Sequence, residues 1–259
     1  METAIRVTDG TTLRVTGASD GSSFIDGSNE TSLFYVIGGT LHLSQLTMAN
    51  GTAEFENFAN FGGALFVEVS VLYMDGFTSF TNNIADDSGG AVYGVLSDIT
   101  ITDNALWETN NAIYGAGIRL YRFCTLTVTG SVAFLNNSGF QGPGMWVSER
   151  SNVIISGPST FESNFARHDG GGLVVYNSTM QFTNGSTTSF YNNSCAQAGG
   201  AILLYTAGEI TVAGNATFAN NSAELGAGIA ASEGTSVTVT GNVVMENNFA
   251  SSAGGAIYL

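Results

Sequence analysis

A block of about 27 residues recurs along the chain and constrains the fold more than any other feature. Each copy closes with small residues, mostly glycine and alanine, followed by a hydrophobic residue. The closing residues are Leu65, Val92, Ile118, Met145, Leu173, Ile202, Ile229 and Ile257, and neighbouring ones lie 26 to 29 positions apart. A period of this length over eight copies is typical of a solenoid. With no linker or shift in composition between copies, we expect residues 1–259 to form a single β-helix domain.

Short stretches within each copy alternate apolar and polar residues with a period of two, which indicates strands. The second stretch gives two apolar positions per copy, which we assign to the interior. These pairs are Leu13/Val15, Leu41/Leu43, Val71/Tyr73, Ile99/Ile101, Leu126/Val128, Val153/Ile155, Met180/Phe182, Ile210/Val212 and Val237/Val239. The third stretch carries a bulky column at Phe80, Trp107, Phe134, Phe161, Phe190, Phe218 and Met245. Together with the apolar stretch after the glycines, this predicts three strands in each turn.

Strands one turn apart run in the same direction, and connections between such parallel strands are almost always right-handed. We therefore predict an all-β fold, a right-handed parallel β-helix with three strands and about 27 residues per turn. About nine turns, each adding a strand spacing of about 4.8 Å, would form a rod about 40 Å long.

Asparagine recurs three residues after each bulky residue of the third strand, where the chain leaves the sheet. The positions are Asn83, Asn110, Asn137, Asn164, Asn193, Asn221 and Asn248. Stacked amides can bond to their copies above and below, and asparagine tolerates left-handed backbone angles. We interpret these residues as a structural ladder. Paired glycines such as Gly62 and Gly63 predict a tight turn into the next strand, with positive φ or close backbone contact.

Two tetrapeptide motifs resemble those of a known family. Gly-Gly-Ala-Ile/Leu/Val occurs at Gly62 to Leu65, Gly89 to Val92, Gly199 to Ile202 and Gly254 to Ile257, and Phe-x-x-Asn at five sites such as Phe80 to Asn83. Both resemble the paired motifs of chlamydial polymorphic membrane proteins, which are autotransporter adhesins. The stretch from Leu33 to Gly51 also resembles pectin-lyase-like surface proteins. The resemblance covers the whole chain and implies an exported, pectin-lyase-like right-handed β-helix, often an adhesin or surface-coat element.

Composition limits the possible partners. Six arginines and no lysine stand against 21 acidic residues, giving a formal charge of −15, which argues against nucleic acid. No apolar run reaches the roughly 18 residues of a membrane span. The paired glycines do not form a phosphate loop, which needs a helix start and usually a lysine. We expect no cofactor.

An enzyme is an alternative, because pectin-lyase-like enzymes cleave polysaccharides with clustered carboxylates and a basic residue. The two histidines are His42, expected to face outward on a second strand, and His168, expected in a turn beside Asp169. Asp86 and Asp87 form the one acidic pair in the repeat turns, and they are weak candidates for a metal site. We expect no catalytic residue, and keep polysaccharide binding or degradation as the alternative.

Ice binding is a less favoured alternative, since flat arrays of outward threonines suit ice. Three rungs fit this pattern: Thr100/Thr102, Thr127/Thr129 and Thr238/Thr240. Four other rungs break the pattern; we assign them as Leu72/Met74, Ile154/Ser156, Gln181/Thr183 and Thr211/Ala213. The preference of threonine for strands explains the pattern as well.

Asparagine sequons and cysteines bear on modification. Sequons occur at Asn29, Asn50, Asn136, Asn177, Asn184, Asn192, Asn215 and Asn220, and predict N-glycosylation if the source is eukaryotic. Three precede ladder residues and should point outward, whereas Asn177, Asn184 and Asn215 are expected in turns. Cys124 and Cys195 lie more than two turns apart, too far for a disulfide with Cα atoms within about 7 Å. Two free thiols or one intermolecular link are expected.

These features favour a non-catalytic extracellular or cell-surface β-helix, either an adhesin or a structural subunit of a surface appendage or fibre. An adhesin would bind host or cell-surface glycans through a turn of variable length such as Asn50 to Gly62. A structural subunit would contact neighbouring subunits, or itself end to end. The chain stops at Leu259 in the middle of a repeat, so we expect a segment of a longer protein.

Overall fold

The structure, a computed structural model, describes residues 4–53, 60–232 and 234–259. These residues form 36 strands and no helix. In chain order the strands are β1 (Ile5–Val7), β2 (Thr12–Thr16), β3 (Phe24–Asp26), β4 (Phe34–Ile37), β5 (Thr40–Ser44), β6 (Leu46–Ala49), β7 (Thr52–Ala53), β8 (Leu65–Glu68), β9 (Val71–Met74), β10 (Thr78–Thr81), β11 (Ile84–Ala85), β12 (Val92–Val95), β13 (Asp98–Ile101), β14 (Ala105–Glu108), β15 (Asn111–Tyr114), β16 (Ile118–Tyr121), β17 (Thr125–Val128), β18 (Val132–Leu135), β19 (Ser138–Gln141), β20 (Met145–Ser148), β21 (Asn152–Ile155), β22 (Ser159–Glu162), β23 (Phe165–Asp169), β24 (Leu173–Tyr176), β25 (Thr179–Phe182), β26 (Thr187–Tyr191), β27 (Ser194–Cys195), β28 (Ile202–Tyr205), β29 (Glu209–Val212), β30 (Asn215–Ala219), β31 (Ser222–Leu225), β32 (Ile229–Ala231), β33 (Ser236–Val239), β34 (Val243–Glu246), β35 (Phe249–Ala253) and β36 (Ile257–Tyr258).

The strands form four parallel sheets that the chain visits in turn, so that each strand pairs with its copies one turn away. The first sheet has ten strands, from β1 to β36; the second has nine, from β2 to β33; the third has nine, from β3 to β34; and the fourth has eight, from β7 to β35. Neighbouring strands pair in parallel, as in β12 with β16. The predicted all-β parallel β-helix is confirmed.

The fourth sheet is a finding beyond the three strands expected in each turn. Its strands are two to five residues long and follow the asparagine corner. Their inward column is mainly alanine, as at Ala85, Ala112 and Ala166, all buried. Alanine is too small to give the apolar alternation by which a strand is recognised, which is why the sequence pattern missed these strands.

The third sheet fills the interior with a continuous stack of rings. Its inward column runs through Phe80, Trp107, Phe134, Phe161, Phe190 and Phe218, all fully buried. Successive ring centroids are 4.7–5.2 Å apart, and the ring planes differ by 5–13°. Burying each such side chain contributes about 1.5–3 kcal/mol relative to its exposure. The spacing of the rings follows the spacing of the strands.

One turn of the second sheet differs from the expected register. Strand β9 pairs so that Leu72 and Met74 join the buried column, while Tyr73 lies beside Thr100 on the outside. The expectation that Val71 and Tyr73 point inward, with Leu72 and Met74 outward, was wrong. A shift of one residue exchanges the two faces of a strand. The four consecutive apolar residues Val71 to Met74 give no alternation that could fix the choice.

Candidate functional site

The seven asparagines expected to form a ladder lie at the corner between the third and fourth sheets. From Asn83 to Asn221, each Asn makes two hydrogen bonds to the Oδ1 of the Asn one turn on. One is donated by its side-chain Nδ2 and the other by its own backbone N–H, and all are 2.9–3.1 Å long. Nδ2 also donates to a third-sheet carbonyl one turn back, as from Asn137 to Trp107. With these amides paired and buried, the ladder holds the corner together and offers nothing to a ligand.

Left-handed backbone occurs one residue before the ladder. Asn82, Asn136, Asn192, Asn220 and Asn247 have φ of 52–57°, as do Thr109 and Ser163 at 55°. The tolerance of asparagine for these angles therefore explains the residue that precedes the ladder, and the ladder residue itself is selected by its hydrogen bonds.

The sequons fall into two groups by exposure. Exposed ones are Asn29, Asn136, Asn184, Asn192, Asn215 and Asn220, whereas Asn50 and Asn177 are half-buried. Asn50 also donates Nδ2 to Asp26 at 3.0 Å. Asn215 begins strand β30, so its expected place in a turn was wrong. N-glycosylation at these sites stays a prediction.

A second ladder, made of hydroxyl groups, lies at the corner between the first and second sheets and was missed in the sequence. The backbone N–H of Ser70 donates to the Oγ of Ser97 one turn on, and that of Ser151 donates to the Oγ of Ser178, both at 3.1 Å. Cys124 occupies a position in this column and donates its N–H to Ser151 Oγ at 3.2 Å. Serine one residue before four of the nine second-sheet strands, at Ser70, Ser97, Ser151 and Ser178, is the signal that could have revealed it.

Both cysteines are free and buried. Burial raises the pKa of the Cys124 thiol, and raises that of Cys195 to about 12. Cys195 stands in the alanine column of the fourth sheet, between Ala166 and Ala223. Neither buried thiol is placed for the intermolecular link that the sequence left open.

The acidic and basic residues weighed for catalysis are spread over the coil. Asp87 accepts a hydrogen bond from Ser88 Oγ at 2.6 Å, and Asp86 is exposed beside it. Within the part of the chain that the structure describes, no group of three or more His, Cys, Asp or Glu could hold a metal ion. These two carboxylates therefore have no third acidic, His or Cys ligand among the described residues.

The two histidines lie on different sheets. His42 faces outward on β5, stacks on Tyr73 at 4.6 Å, and lies 3.1 Å from Arg14. Partial burial and the charge of Arg14 lower its pKa. His168 lies in strand β23, so its expected place in a turn was wrong, and its Nδ1 is 2.6 Å from Asp169 Oδ2.

The outer face of the first sheet carries the most distinctive surface of the coil. One outward position per turn forms a column, which we call the outer column: Tyr35, Phe66, Tyr93, Arg119, Trp146, Val174, Leu203 and Ala230. Phe66 and Tyr93 stack at 5.6 Å, and Phe61 packs on Tyr93 at 4.8 Å. No periodic pattern in the sequence marks these residues, because the residue type at this position changes from turn to turn.

Glycines at the corner between the fourth and first sheets pack against this column. The first glycine of each turn has positive φ, for example 65° at Gly89 and 75° at Gly199. A Cβ on either would lie 2.8 Å from the Cβ of Tyr93 or Leu203, closer than real side chains come. Glycine is required here for both its backbone angle and its size, so the chain can fold closely over the outer column. Val174, which Gly142 and Gly170 approach in the same way, is therefore buried although it points outward. Trp146 is buried against Tyr114 and Tyr205.

Arg119 is the one charged member of the outer column. Its guanidinium lies 4.4 Å from the ring centroid of Trp146 and 5.6 Å from that of Tyr121. Arg119 Nη1 and Trp146 Nε1 are both buried without a hydrogen-bond partner. The one ion pair in the described residues joins His168 and Asp169, so Arg119 has no carboxylate partner there.

Burial shapes the ionisation of this cluster. It lowers the pKa of Arg119 to about 10 and raises that of Tyr93 and of Tyr205 to about 12. At neutral pH the site therefore contains one cation among neutral aromatic rings. Such a surface can stack flat apolar groups and pair with an anionic or carbonyl group of a ligand.

A shallow groove of about 410 Å³ lies on the outer face of the third sheet, away from the outer column. Its lining is mostly hydroxyl and amide side chains, including Thr160, Ser189, Thr217, Asn215 and Asn242. It holds no titratable side chain, so it offers hydrogen bonding without acid–base chemistry.

Comparison with known proteins gives the class of the molecule. Residues 110–259 match the family described as the right handed beta helix region, and the chain belongs to that family. Residues 77–95 also match the Chlamydia polymorphic membrane protein repeat. The probable outer membrane protein pmp7 of Chlamydia pneumoniae is 26% identical over 201 residues, covering 69% of this chain and 19% of the relative. Probable outer membrane protein pmp20 of the same organism is 27% identical over 189 residues, covering 66% of this chain and 10% of the relative.

The resemblance to chlamydial polymorphic membrane proteins is thereby confirmed. The relatives are named as outer membrane proteins, in agreement with the expected cell-surface location. The chain spans about a fifth or less of their length. No solved structure matches the chain. Among the described residues, no helix has the length and apolar character to span a membrane.

Proposed function

We propose that the chain is the non-catalytic rod of a cell-surface adhesin and that the partly exposed members of the outer column, Tyr35, Phe66 and Arg119, contact its receptor. The observation that carries the proposal is the outer column, in which the half-buried Arg119 packs on Trp146 and its Nη1 has no hydrogen-bond partner. Tyrosine, tryptophan and arginine are the residues most often found at the centres of binding interfaces. The relatives named as outer membrane proteins support a surface location.

The proposed binding surface is the outer column and not the turn that the sequence favoured. That turn runs from Asn50 to Gly62, and residues 54–59 lie outside the described residues. Phe61, at its end, stacks on Tyr93 of the outer column. A ligand on the outer column would therefore also meet the end of this turn.

A non-catalytic role is supported by the placement of the groups that catalysis would need. His42 is on the second sheet and His168 on the fourth, whereas Arg119 is on the first. Polysaccharide cleavage requires acid, base and carboxylates to converge on one bond. Binding without cleavage requires only the surface itself.

A matched pair of double variants tests the proposal. Arg119→Gln with Tyr205→Ser changes the outer column and its neighbour, and Arg14→Gln with Tyr73→Ser changes the same residue types on the second sheet. Beads coated with each folded protein are counted on cultured epithelial cells. We expect the first variant to reduce bound beads about tenfold and the second to bind like the unchanged chain. Equal binding by both variants, or no binding by the unchanged chain, would reject the proposal.

A further inference from the structure

An exposed apolar ridge runs along the corner between the first and second sheets. It consists of Val69, Leu96 and Phe123, one residue from each of three successive turns, and we call it the corner ridge. Their side chains are 59%, 45% and 56% exposed. Two strand spacings separate its ends, about 10 Å.

All three residues have left-handed backbone, with φ of 50–53°. This conformation is unfavourable for residues with a Cβ, and most of all for a β-branched residue such as Val69. The same left-handed corner carries Gly38 and Asn177, which adopt such angles readily, and Arg150 and Ala207 in other turns, so the three large apolar side chains are particular to the corner ridge. Because these apolar side chains are exposed, they gain no packing within the chain that would offset their backbone strain. This combination points to a contact outside the chain.

Two arginines flank the corner ridge. The guanidinium of Arg122 lies 5.3 Å from the ring centroid of Tyr121, and that of Arg150 lies 5.8 Å from that of Phe123. Both are exposed, and neither pairs with a carboxylate in the described part of the chain. Glu149 lies at the same corner, so Arg122 and Arg150 give it one formal positive charge in a protein with six arginines and 21 acidic residues.

The corner between the third and fourth sheets has the complementary character. Glu162 and Glu246 share an outward column of the third sheet, three turns apart. Three residues after each, Phe165 and Phe249 are 49% and 67% exposed on the fourth sheet. Because the four sheets follow one another around the coil, this acidic and aromatic corner lies across the coil from the corner ridge.

We propose that two copies of this chain associate side by side, with the corner ridge, Arg122 and Arg150 of one copy against the Glu162, Phe165 and Phe249 corner of the other. Both surfaces run along the axis and span three turns, from Val69 to Arg150 on one and from Glu162 to Glu246 on the other, so apolar groups can meet at one end and opposite charges at the other. The two contacting surfaces differ and lie on opposite sides of the rod, so each copy can contact two others and build a lateral array. This association is independent of receptor binding by the outer column.

Sedimentation velocity over 5–200 µM chain tests the charged part of the contact. We expect the unchanged chain to sediment faster as concentration rises, and the Arg122→Glu/Arg150→Glu variant to remain monomeric. The matched control, Arg6→Glu/Arg14→Glu, carries the same change in net charge and should associate like the unchanged chain. A monomeric unchanged chain, or equal loss in both variants, would overturn the proposal.

A mixing experiment tests the pairing of the two corners. The Glu162→Arg/Glu246→Arg variant should be monomeric alone, but should associate when mixed with Arg122→Glu/Arg150→Glu, because the charges are exchanged between the surfaces. Failure of the mixture to associate would overturn the proposal even if each variant is monomeric.

The ridge itself is tested by a change with opposite effects on folding and on association. Val69→Asn/Leu96→Asn/Phe123→Asn places a residue that favours left-handed backbone at each position, so we expect a higher melting temperature. The same variant should lose association, because the apolar contact is gone. A lower melting temperature with association retained would show that the ridge supports the fold and would overturn the proposal.

Discussion

Two columns of this coil stack aromatic rings from turn to turn, yet they differ in every other respect. The inner column of the third sheet keeps an aromatic ring in six consecutive turns, with nearly parallel planes. The outer column of the first sheet changes from rings to arginine, then to tryptophan and to aliphatic residues, and its neighbouring rings meet at 12° and 53°. Interior packing demands the same shape in each turn, whereas the outside is free to vary. Variation within a repetitive fold therefore marks the surface on which function can act.

The largest expected effect comes from breaking the inner column. Phe134→Ala would leave a cavity between Trp107 and Phe161, and we expect the free energy of unfolding to fall by about 3–5 kcal/mol. Phe66→Ala, at a half-buried position of the outer column, should cost about 1–2 kcal/mol. Urea unfolding at pH 7 measures both. Equal losses in the free energy of unfolding would show that the two columns contribute equally to stability, contrary to the comparison.

The asparagine corner gives a similar contrast between two adjacent residues. Asn137→Ala removes four hydrogen bonds and leaves the buried N–H of Asn110 and one of its two Nδ2 hydrogens without an acceptor, while the other still bonds the Phe80 carbonyl. We expect the free energy of unfolding to fall by about 2–4 kcal/mol. Asn136→Ala, exposed and left-handed, should cost about 1 kcal/mol. If the two substitutions prove equal in urea unfolding, hydrogen bonding is not what selects asparagine at the ladder.

The same contrast explains how much the sequence could predict. The inner column and the ladder positions were visible because the interior needs the same residue type in each turn. The register of Val71 to Met74 was not, because both faces of that strand are apolar. The contact of Gly89 with Tyr93 and the position of Arg119 over Trp146 depend on which outward side chains meet across a corner, and no periodic pattern encodes that.

Alkaline pH should probe the outer column selectively. Burial raises the pKa of Tyr93 and of Tyr205 to about 12, so both stay neutral in the folded chain while the unfolded chain loses their protons near pH 10. Their contribution is fully present below pH 10 and is lost as pH rises towards 12. We expect a loss of about 1 kcal/mol by pH 11, after allowing for solvent screening.

Tyr205→Phe should reduce this alkaline loss and leave the free energy of unfolding at pH 7 little changed. Tyr73→Phe on the second sheet is the matched control and should keep the full pH dependence. The measurement is urea unfolding at several pH values from 7 to 11.5. An unchanged alkaline slope in Tyr205→Phe would mean that packing beside the outer column does not desolvate Tyr205.

The smallest expected effect is at the serine ladder, which lies on the corner between the first and second sheets. Cys124→Ser restores the residue that other turns carry, and its hydroxyl can donate to the Tyr121 carbonyl that the thiol now faces at 3.4 Å. We expect the free energy of unfolding to change by less than about 0.5 kcal/mol, because a stronger hydrogen bond offsets the loss of a larger apolar atom.

Ser151→Ala, which leaves the buried N–H of Cys124 without an acceptor, should cost about 1–2 kcal/mol in the same urea titration. A loss in Cys124→Ser as large as that in Ser151→Ala would show that Cys124 is selected as an apolar residue of the interior, and that this corner follows the rules of the inner column.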